Sequence, residues 1–240
     1  MCLYCESKRV DRRGLLRLAG LGLAAASLAL APGAASAAAG AKTSLSPDQA
    51  LAALKDGNAR YVSNPQVCVA DLAKSRAGVA RHQAPWATIV GCADSRVPPE
   101  LLFGGLGLGE LFVARNAGNM VDTATMGTVE YGAEHLGTPL VVVLGHERCG
   151  AVVAACSVVT KNARFPGSIG PMVAPIVPAA RAVRGKLGDF VDNTVRESAR
   201  RTARRLASAS SILSHLMKDG KLKIVAARYG LEDGKVEFLA

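Results

Sequence analysis

Aromatic residues make up only 4% of this 240-residue chain, with a single tryptophan. That scarcity bears on its charge: 29 Lys and Arg against 19 Asp and Glu give a formal +10. Such a balance suggests nucleic acid, but few aromatics and no recognisable nucleic-acid module argue against that partner. The charge reads instead as a solvated surface that favours solubility and attracts small anions. A membrane span is also unsupported, because the uncharged run Leu18–Ala31 is shorter than the about 20 apolar residues a spanning helix needs. Internal repeats are absent, which excludes a solenoid.

The first 37 residues read as a targeting segment. Lys8, Arg9, Arg12, Arg13 and Arg17 precede the Leu/Ala/Gly run, and Ala35-Ser36-Ala37 forms a small-residue cleavage site. Asp11-Arg12-Arg13-Gly14-Leu15-Leu16-Arg17 resembles a twin-arginine export signal. The expectation is an exported protein, periplasmic or secreted, touching the membrane only transiently through this segment; the competing reading is an uncleaved anchor. No cysteine follows the run closely, so a lipid-attached N-terminus is not expected. Residues 38–45 read as a linker and 46–240 as one catalytic domain, roughly 200 residues and enough for a proper core. Cys2 and Cys5 would leave with the signal, while Cys68, Cys92, Cys149 and Cys156 remain. Cys68 and Cys156 can pair or stay as buried thiols, and unpaired thiols are the plainer expectation.

Ser46-Pro47 should open a helix reaching about Arg60, with Ser46 as cap and Pro47 at the first helical position. A weaker helical stretch covers Leu72 to Val79. Trp86 to Gly91 is an apolar, β-branched run typical of a strand covered on both faces, and Pro98-Pro99 prevents its continuation. A second strand is expected at Leu111–Ala114, a helix from Thr123 to Leu136 closed by Gly137, and the clearest buried strand at Pro139–Leu144. A helix should follow Cys149, then loop with short helical pieces from Lys161 to Val177. One long helix is expected from Asp192 to Met217, carrying Arg196, Arg200, Arg201, Arg204 and Arg205 as a solvated stripe rather than an anion-binding face. Strands at Lys221–Ala227 and up to Leu239 flank a turn at Glu232-Asp233-Gly234. The fold class is therefore α/β, a mostly parallel sheet of four to five strands flanked by helices.

Two motifs carry chemistry, Cys92-Ala93-Asp94-Ser95-Arg96 and His146-Glu147-Arg148-Cys149. Each follows the carboxyl end of an expected parallel strand, where binding crevices form in open α/β sheets. Two thiolates and one imidazole suit a tetrahedral zinc with an open fourth position, the mark of a catalytic site. In an extended segment Cys92, Asp94 and Arg96 would project to one side. His146 and Cys149, three apart at a turn entering a helix, can aim at one point. Asp94 would accept a hydrogen bond from zinc-bound hydroxide, and Arg96 would keep Asp94 ionised and oriented. A structural zinc would instead need a fourth ligand, Cys156 or Asp94, and the cysteines beyond residue 37 form no Cys-x-x-Cys pair.

At these residues the chain resembles a β-class carbonic anhydrase. The resemblance runs from Gly57-Asn58-Ala59-Arg60-Tyr61 to Tyr229-Gly230 with Gly234-Lys235-Val236. Its specific parts are Gly91–Pro98, Gly109–Asn119, Glu130-Tyr131 and Gly145–Gly150. The resemblance implies one zinc per subunit on Cys92, His146 and Cys149, with Asp94 and Arg96 governing the fourth position. It also implies a substrate pocket from Gln83, Phe112, Ala117 and Tyr131, part of it across a dimer interface, in a homodimer or higher homo-oligomer. On the plainer reading Phe112 and Tyr131 are ordinary core residues. Ala93 stands where the family often has Ser. Ile89 stands where bicarbonate-regulated members carry Trp, which argues for a constantly open site.

The function expected is hydration of carbon dioxide to bicarbonate and a proton by zinc-bound hydroxide. His82 and His135 are candidate proton relays, although each reads more simply as a surface or packing histidine. Two alternatives remain: hydrolysis of a related heteroallene such as carbonyl sulfide or carbon disulfide, or a zinc- or anion-binding module without turnover.

Overall fold

The computed structural model describes residues 42–65 and 72–239. The targeting segment and Cys68 lie outside them. Five strands, β1 (Ala87–Cys92), β2 (Leu111–Asn116), β3 (Leu140–His146), β4 (Lys223–Tyr229) and β5 (Val236–Leu239), form one sheet in the order β2-β1-β3-β4-β5. The first four are mutually parallel, and β5 runs antiparallel on β4. The expected α/β class with four to five mostly parallel strands is the observed one.

Both β1 and β3 are buried along their whole length, which is why they read as unbroken apolar runs. Alternation divides them between two cores. Ile89, Leu140, Val142 and Leu144 pack with Leu54, Leu102 and Phe103 on one face, and Val90, Val141 and Val143 with Val129, Ala199, Leu206 and Leu213 on the other. Each such side chain taken fully out of water contributes about 1.5–3 kcal/mol.

Helix α1 (Pro47–Ser63) starts with a capping box: Gln49 N–H donates to Ser46 Oγ (3.2 Å), and Ser46 N–H to Gln49 Oε1 (2.8 Å). It runs almost a turn past the expected Arg60. At Gly57 it meets the loop after α3 (Pro99–Leu102) so closely that an added Cβ would stand 2.1 Å from the Phe103 carbonyl oxygen. Only glycine fits there. Helix α2 (Leu72–Val79) matches its expected span, and α4 (Thr123–Glu134) is capped by Asp122, which accepts from Thr125 N–H at 2.7 Å. Residues 42–45, the described part of the expected linker, lack helix or strand, and Lys42 Nζ donates to the Glu134 carbonyl (3.0 Å). Helix α5 (Gly150–Lys161) leads to short pieces, α6 (Ile169–Val173), a 3₁₀ turn at Ala174–Ile176 and α7 (Val177–Val183).

The single helix expected over Asp192–Met217 is in fact two, α8 (Phe190–Ala209) and α9 (Ser211–Lys218). Ser210 breaks the run with an extended backbone (φ −111°, ψ 120°). Its Oγ accepts from Leu213 N–H (3.1 Å) and donates to Glu130 Oε1 on α4 (2.6 Å). A serine bound this way starts a new helix rather than continuing the old one. The arginine stripe of α8 is a charged surface: Arg196 pairs with Asp192 and Glu237, and Arg201 and Arg204 share Glu197.

Strand order reverses at β1 and β3. The chain passes from β1 to β2 on one side and returns over β1 to β3 on the other. The crevice at the carboxyl ends of these two strands is where ligands bind in open α/β sheets, and Cys92 and His146 are their last residues.

Candidate metal centre

Cys92 ends β1, His146 ends β3, and Cys149 is the N-cap of α5. The two intervening residues make a tight turn, with Arg148 in the left-handed region (φ 52°). One ligand atom from each of the three residues lies within 4.8 Å of the others, and the two sulfurs are 3.9 Å apart. All three side chains are buried (5%, 0% and 1% exposed). Cys156 is also a buried free thiol, but it bonds Thr194 Oγ1 (3.4 Å) and stands outside the group.

The imidazole is oriented for metal binding. His146 Nδ1 lies 2.9 Å from the Glu147 carbonyl oxygen, which can only accept, so the ring proton belongs on Nδ1. Nε2 then carries the lone pair, and it is buried without a hydrogen-bond partner. A buried acceptor left bare costs about 1–3 kcal/mol. Two sulfurs and this nitrogen form the donor set that zinc prefers, so the residues present fit that ion.

The hydrogen bond between the two thiols moves them in opposite directions. Hydrogen bonding from Cys149 lowers the Cys92 pKa against the opposing effect of burial, with help from Gly118 N–H at 3.4 Å. Cys149 moves the other way, because it donates that bond and is itself buried; backbone N–H groups of Val152 and Ala151 at the start of α5 partly oppose the rise. Val152, Ile176, Val177 and Val195 wrap the site in an apolar shell.

Asp94 and Arg96 meet as expected, by a different route. The chain leaves β1 after Cys92 and turns, with Arg96 N–H donating to Asp94 Oδ1 (3.0 Å) and Val97 N–H to the Asp94 carbonyl (3.1 Å). The two side chains are thus joined by a side-chain turn, not by sharing a strand face. The Arg96 guanidinium grips the carboxylate with two prongs, Nε to Oδ1 (2.9 Å) and Nη2 to Oδ2 (2.7 Å). That grip holds Asp94 far below the usual carboxylate range, with Oδ2 at 3.8 Å from His146 Nε2. Arg115 clamps the same loop, donating from Nε to the Cys92 carbonyl (2.8 Å) and from Nη2 to the Asp94 carbonyl (2.6 Å). Its role was missed in the sequence; the available signal was an arginine one residue before the end of the strand beside β1.

The expected substrate residues separate into two groups. Ala117 follows Asn116, the register partner of Cys92, and helps line a cavity of about 560 Å³ with Met120, Met172, Arg201 and Arg205. Phe112 pairs with Thr88, four residues before Cys92, so it sits about 13 Å down the strands at 3.3 Å per residue. Tyr131 accompanies it, ring centroids 6.2 Å apart, with His135 5.1 Å from Tyr131. Gln83 and His82 are exposed in the loop before β1. Within one chain, only Ala117 of the four lies at the metal end of the sheet.

Known proteins are similar to this chain in sequence and fold. The family described as "Carbonic anhydrase" matches residues 87–236. Carbonic anhydrase 2 of Mycobacterium tuberculosis is 38% identical over 189 residues, 79% of this chain and 91% of that protein. Among solved structures, a Coccomyxa β-carbonic anhydrase in complex with acetazolamide superposes with a TM-score of 0.63 at 28% identity, covering 79% of this chain and 86% of the other. A tetrameric β-carbonic anhydrase of Sordaria macrospora shares the fold, with a TM-score of 0.62 at 23% identity over 79% and 96% of the two chains.

Proposed function

The chain belongs to the β-carbonic anhydrase family, and from that premise we propose that it reversibly converts carbon dioxide and water to bicarbonate and a proton, with one zinc per subunit on Cys92, His146 and Cys149. The observation that carries this reading is the bare, buried Nε2 of His146 beside two sulfurs. Zinc held there would act as a Lewis acid and bring the pKa of water in its open position down toward roughly 7. The chain's own residues do the rest. Asp94, kept ionised by Arg96, accepts a hydrogen bond from the attacking water and turns its lone pair toward the carbon. Because both carboxylate oxygens are engaged by Arg96, Asp94 stays available as an acceptor and does not become a fourth ligand. Two thiolates offset the charge of the cation, so the acidifying effect is smaller than three imidazoles would allow.

The remaining parts of the site fit an assembly of two or more copies. Phe112 lies on the edge strand β2, whose residues are largely half-buried, with Tyr131 packed beside it, and Tyr131 is 39% exposed. A second copy brought against that edge would carry its Gln83, Phe112 and Tyr131 toward a neighbour's metal end, beside Ala117. We also propose export through the N-terminal segment, with cleavage after Ala37 and a periplasmic or secreted destination. Cell fractionation with N-terminal sequencing tests this, and a cytoplasmic protein retaining residue 1 would overturn it.

Stopped-flow hydration with a pH indicator, run beside metal analysis, tests the catalytic reading. Asp94→Asn should keep zinc and lose rate, and Cys149→Ser should lose the metal. A zinc-replete wild type that hydrates carbon dioxide no faster than buffer would refute it.

A further inference from the structure

We propose that Glu147 is a positioning residue for His146: it fastens the turn between β3 and α5 to the β4–β5 hairpin, so that its own carbonyl oxygen holds His146 Nδ1 and aims Nε2 at the metal position. The His-x-x-Cys spacing leaves two residues between the ligands. Any residue after His146 offers a carbonyl, but the side chain here does more. Glu147 N–H donates to the Tyr229 carbonyl (2.9 Å), and Glu147 Oε2 accepts from Leu231 N–H (2.9 Å). Arg228 Nη2 stands 3.9 Å from the same Oε2. Arg148 closes the bracket from the other side, reaching Glu147 Oε1 (3.2 Å) and Glu232.

Apart from Arg148, these anchors belong to the hairpin or its approach, more than eighty positions along the chain. They fix the Glu147 peptide through its backbone and its carboxylate together. A non-glycine residue in the left-handed region is held there by its surroundings, and Arg148, with φ 52°, is tied to Glu147 and Glu232. Arg228 is in turn fixed by Asp192 on α8 (Nε to Oδ1, 2.8 Å), which connects the bracket to the body of the domain. Partners of a metal-binding histidine set its tautomer and ring direction, and disturbing them commonly costs 10–100-fold in metal affinity. Here the partner is a backbone carbonyl, so the disturbance must act by moving the peptide.

The inference rests on metal binding at Cys92, His146 and Cys149. Its test reads zinc affinity by competition with a chromophoric chelator, and the visible absorption of the cobalt(II)-substituted protein, independently of turnover. Glu147→Asp keeps the charge but is one methylene too short to reach Leu231 N–H. It should weaken zinc binding about 10-fold or more and shift the cobalt bands. Glu147→Gln keeps the length and an acceptor oxygen, and should restore affinity to within about threefold of wild type, with the wild-type bands. Glu237→Gln removes the charge only from the outlying pair with Arg196 and should change neither readout. Wild-type affinity and bands in Glu147→Asp would overturn the inference, even if that variant melts earlier. So would a loss in Glu147→Gln as large as in Glu147→Asp, which would show that reach to Leu231 N–H is not what sets the affinity. If the wild type binds neither ion, the metal reading itself fails, and this inference falls with it.

Discussion

Arg96 grips both oxygens of Asp94 at 2.9 and 2.7 Å and holds Oδ2 3.8 Å from His146 Nε2. The carboxylate is thereby close to the metal position and still engaged elsewhere. Removing the guanidinium would free Asp94 to swing onto a bound cation and close the open position. Arg96→Ala should therefore retain zinc, bind it as tightly as wild type or more so, and lose about 100-fold in kcat, the scale of an ångström-sized misplacement. Arg96→Lys, which offers a point charge in place of a fork, should recover only part of that rate. Zinc analysis beside stopped-flow rates checks both. A variant with full activity would show that the pair is dispensable.

The two sulfurs lie 3.9 Å apart with no side chain between them. A disulfide needs about 2.05 Å, so a modest approach suffices once no cation separates them. Chelated protein treated with oxidised glutathione should lose two thiols per chain. The Cys92 and Cys149 sulfurs join, their two electrons and two protons reduce one glutathione disulfide to two thiols, and zinc-loaded protein resists. Titration of free thiols before and after chelation checks this, with peptide mapping to place the bond. Unchanged thiol counts after chelation would count against it.

Much of this site was legible because its ligands are chemically rare and lie next to strongly patterned strands. Cys92 and His146 follow runs that are apolar for a structural reason, burial on both faces of the sheet. What the sequence concealed depends on partners distant along the chain. Ser210 interrupts the expected long helix by bonding Glu130, eighty positions away, and no glycine or proline marks the break. The Glu147 bracket depends on a hairpin at the far end of the chain. The meeting of Asp94 and Arg96 was foreseen for the wrong local reason, because strand alternation was extended past Cys92 into what is a turn. Phe112 and Tyr131 follow from resemblance alone, and strand register places Phe112, with Tyr131 packed on it, far from the same chain's metal end.

Asp192 is the centre of the polar anchor behind the bracket, accepting from Arg196 Nε and Arg228 Nε at 2.8 Å each. Burial alone would raise its pKa, but the two arginines outweigh burial and lower it. A carboxyl with a lowered folded pKa adds stability above its unfolded value of about 3.9, and that stability is lost as pH falls through the folded value. Asp192→Asn should cost about 1–2 kcal/mol at pH 7. The gap from wild type should narrow steadily as pH drops below about 4. Urea unfolding at pH 7, 5 and 3.5 measures it, and a gap that stays constant with pH would contradict the assignment.

The separation of about 13 Å between Phe112 and Cys92 along the paired strands leads to a mixing experiment. Let one chain carry Asp94→Asn and a second carry Tyr131→Ala, each nearly inactive alone. If every site combines the metal end of one copy with Phe112 and Tyr131 of its neighbour, a mixed dimer has one site with both defects and one with neither. Random reassortment makes half the dimers mixed, so co-refolded material should regain about a quarter of wild-type activity in a two-fold assembly. A site complete within one chain would give only the average of the two parents. Recovery therefore reports a shared site directly, and it should vanish when the two variants are mixed without dissociation, since pre-formed dimers cannot exchange copies.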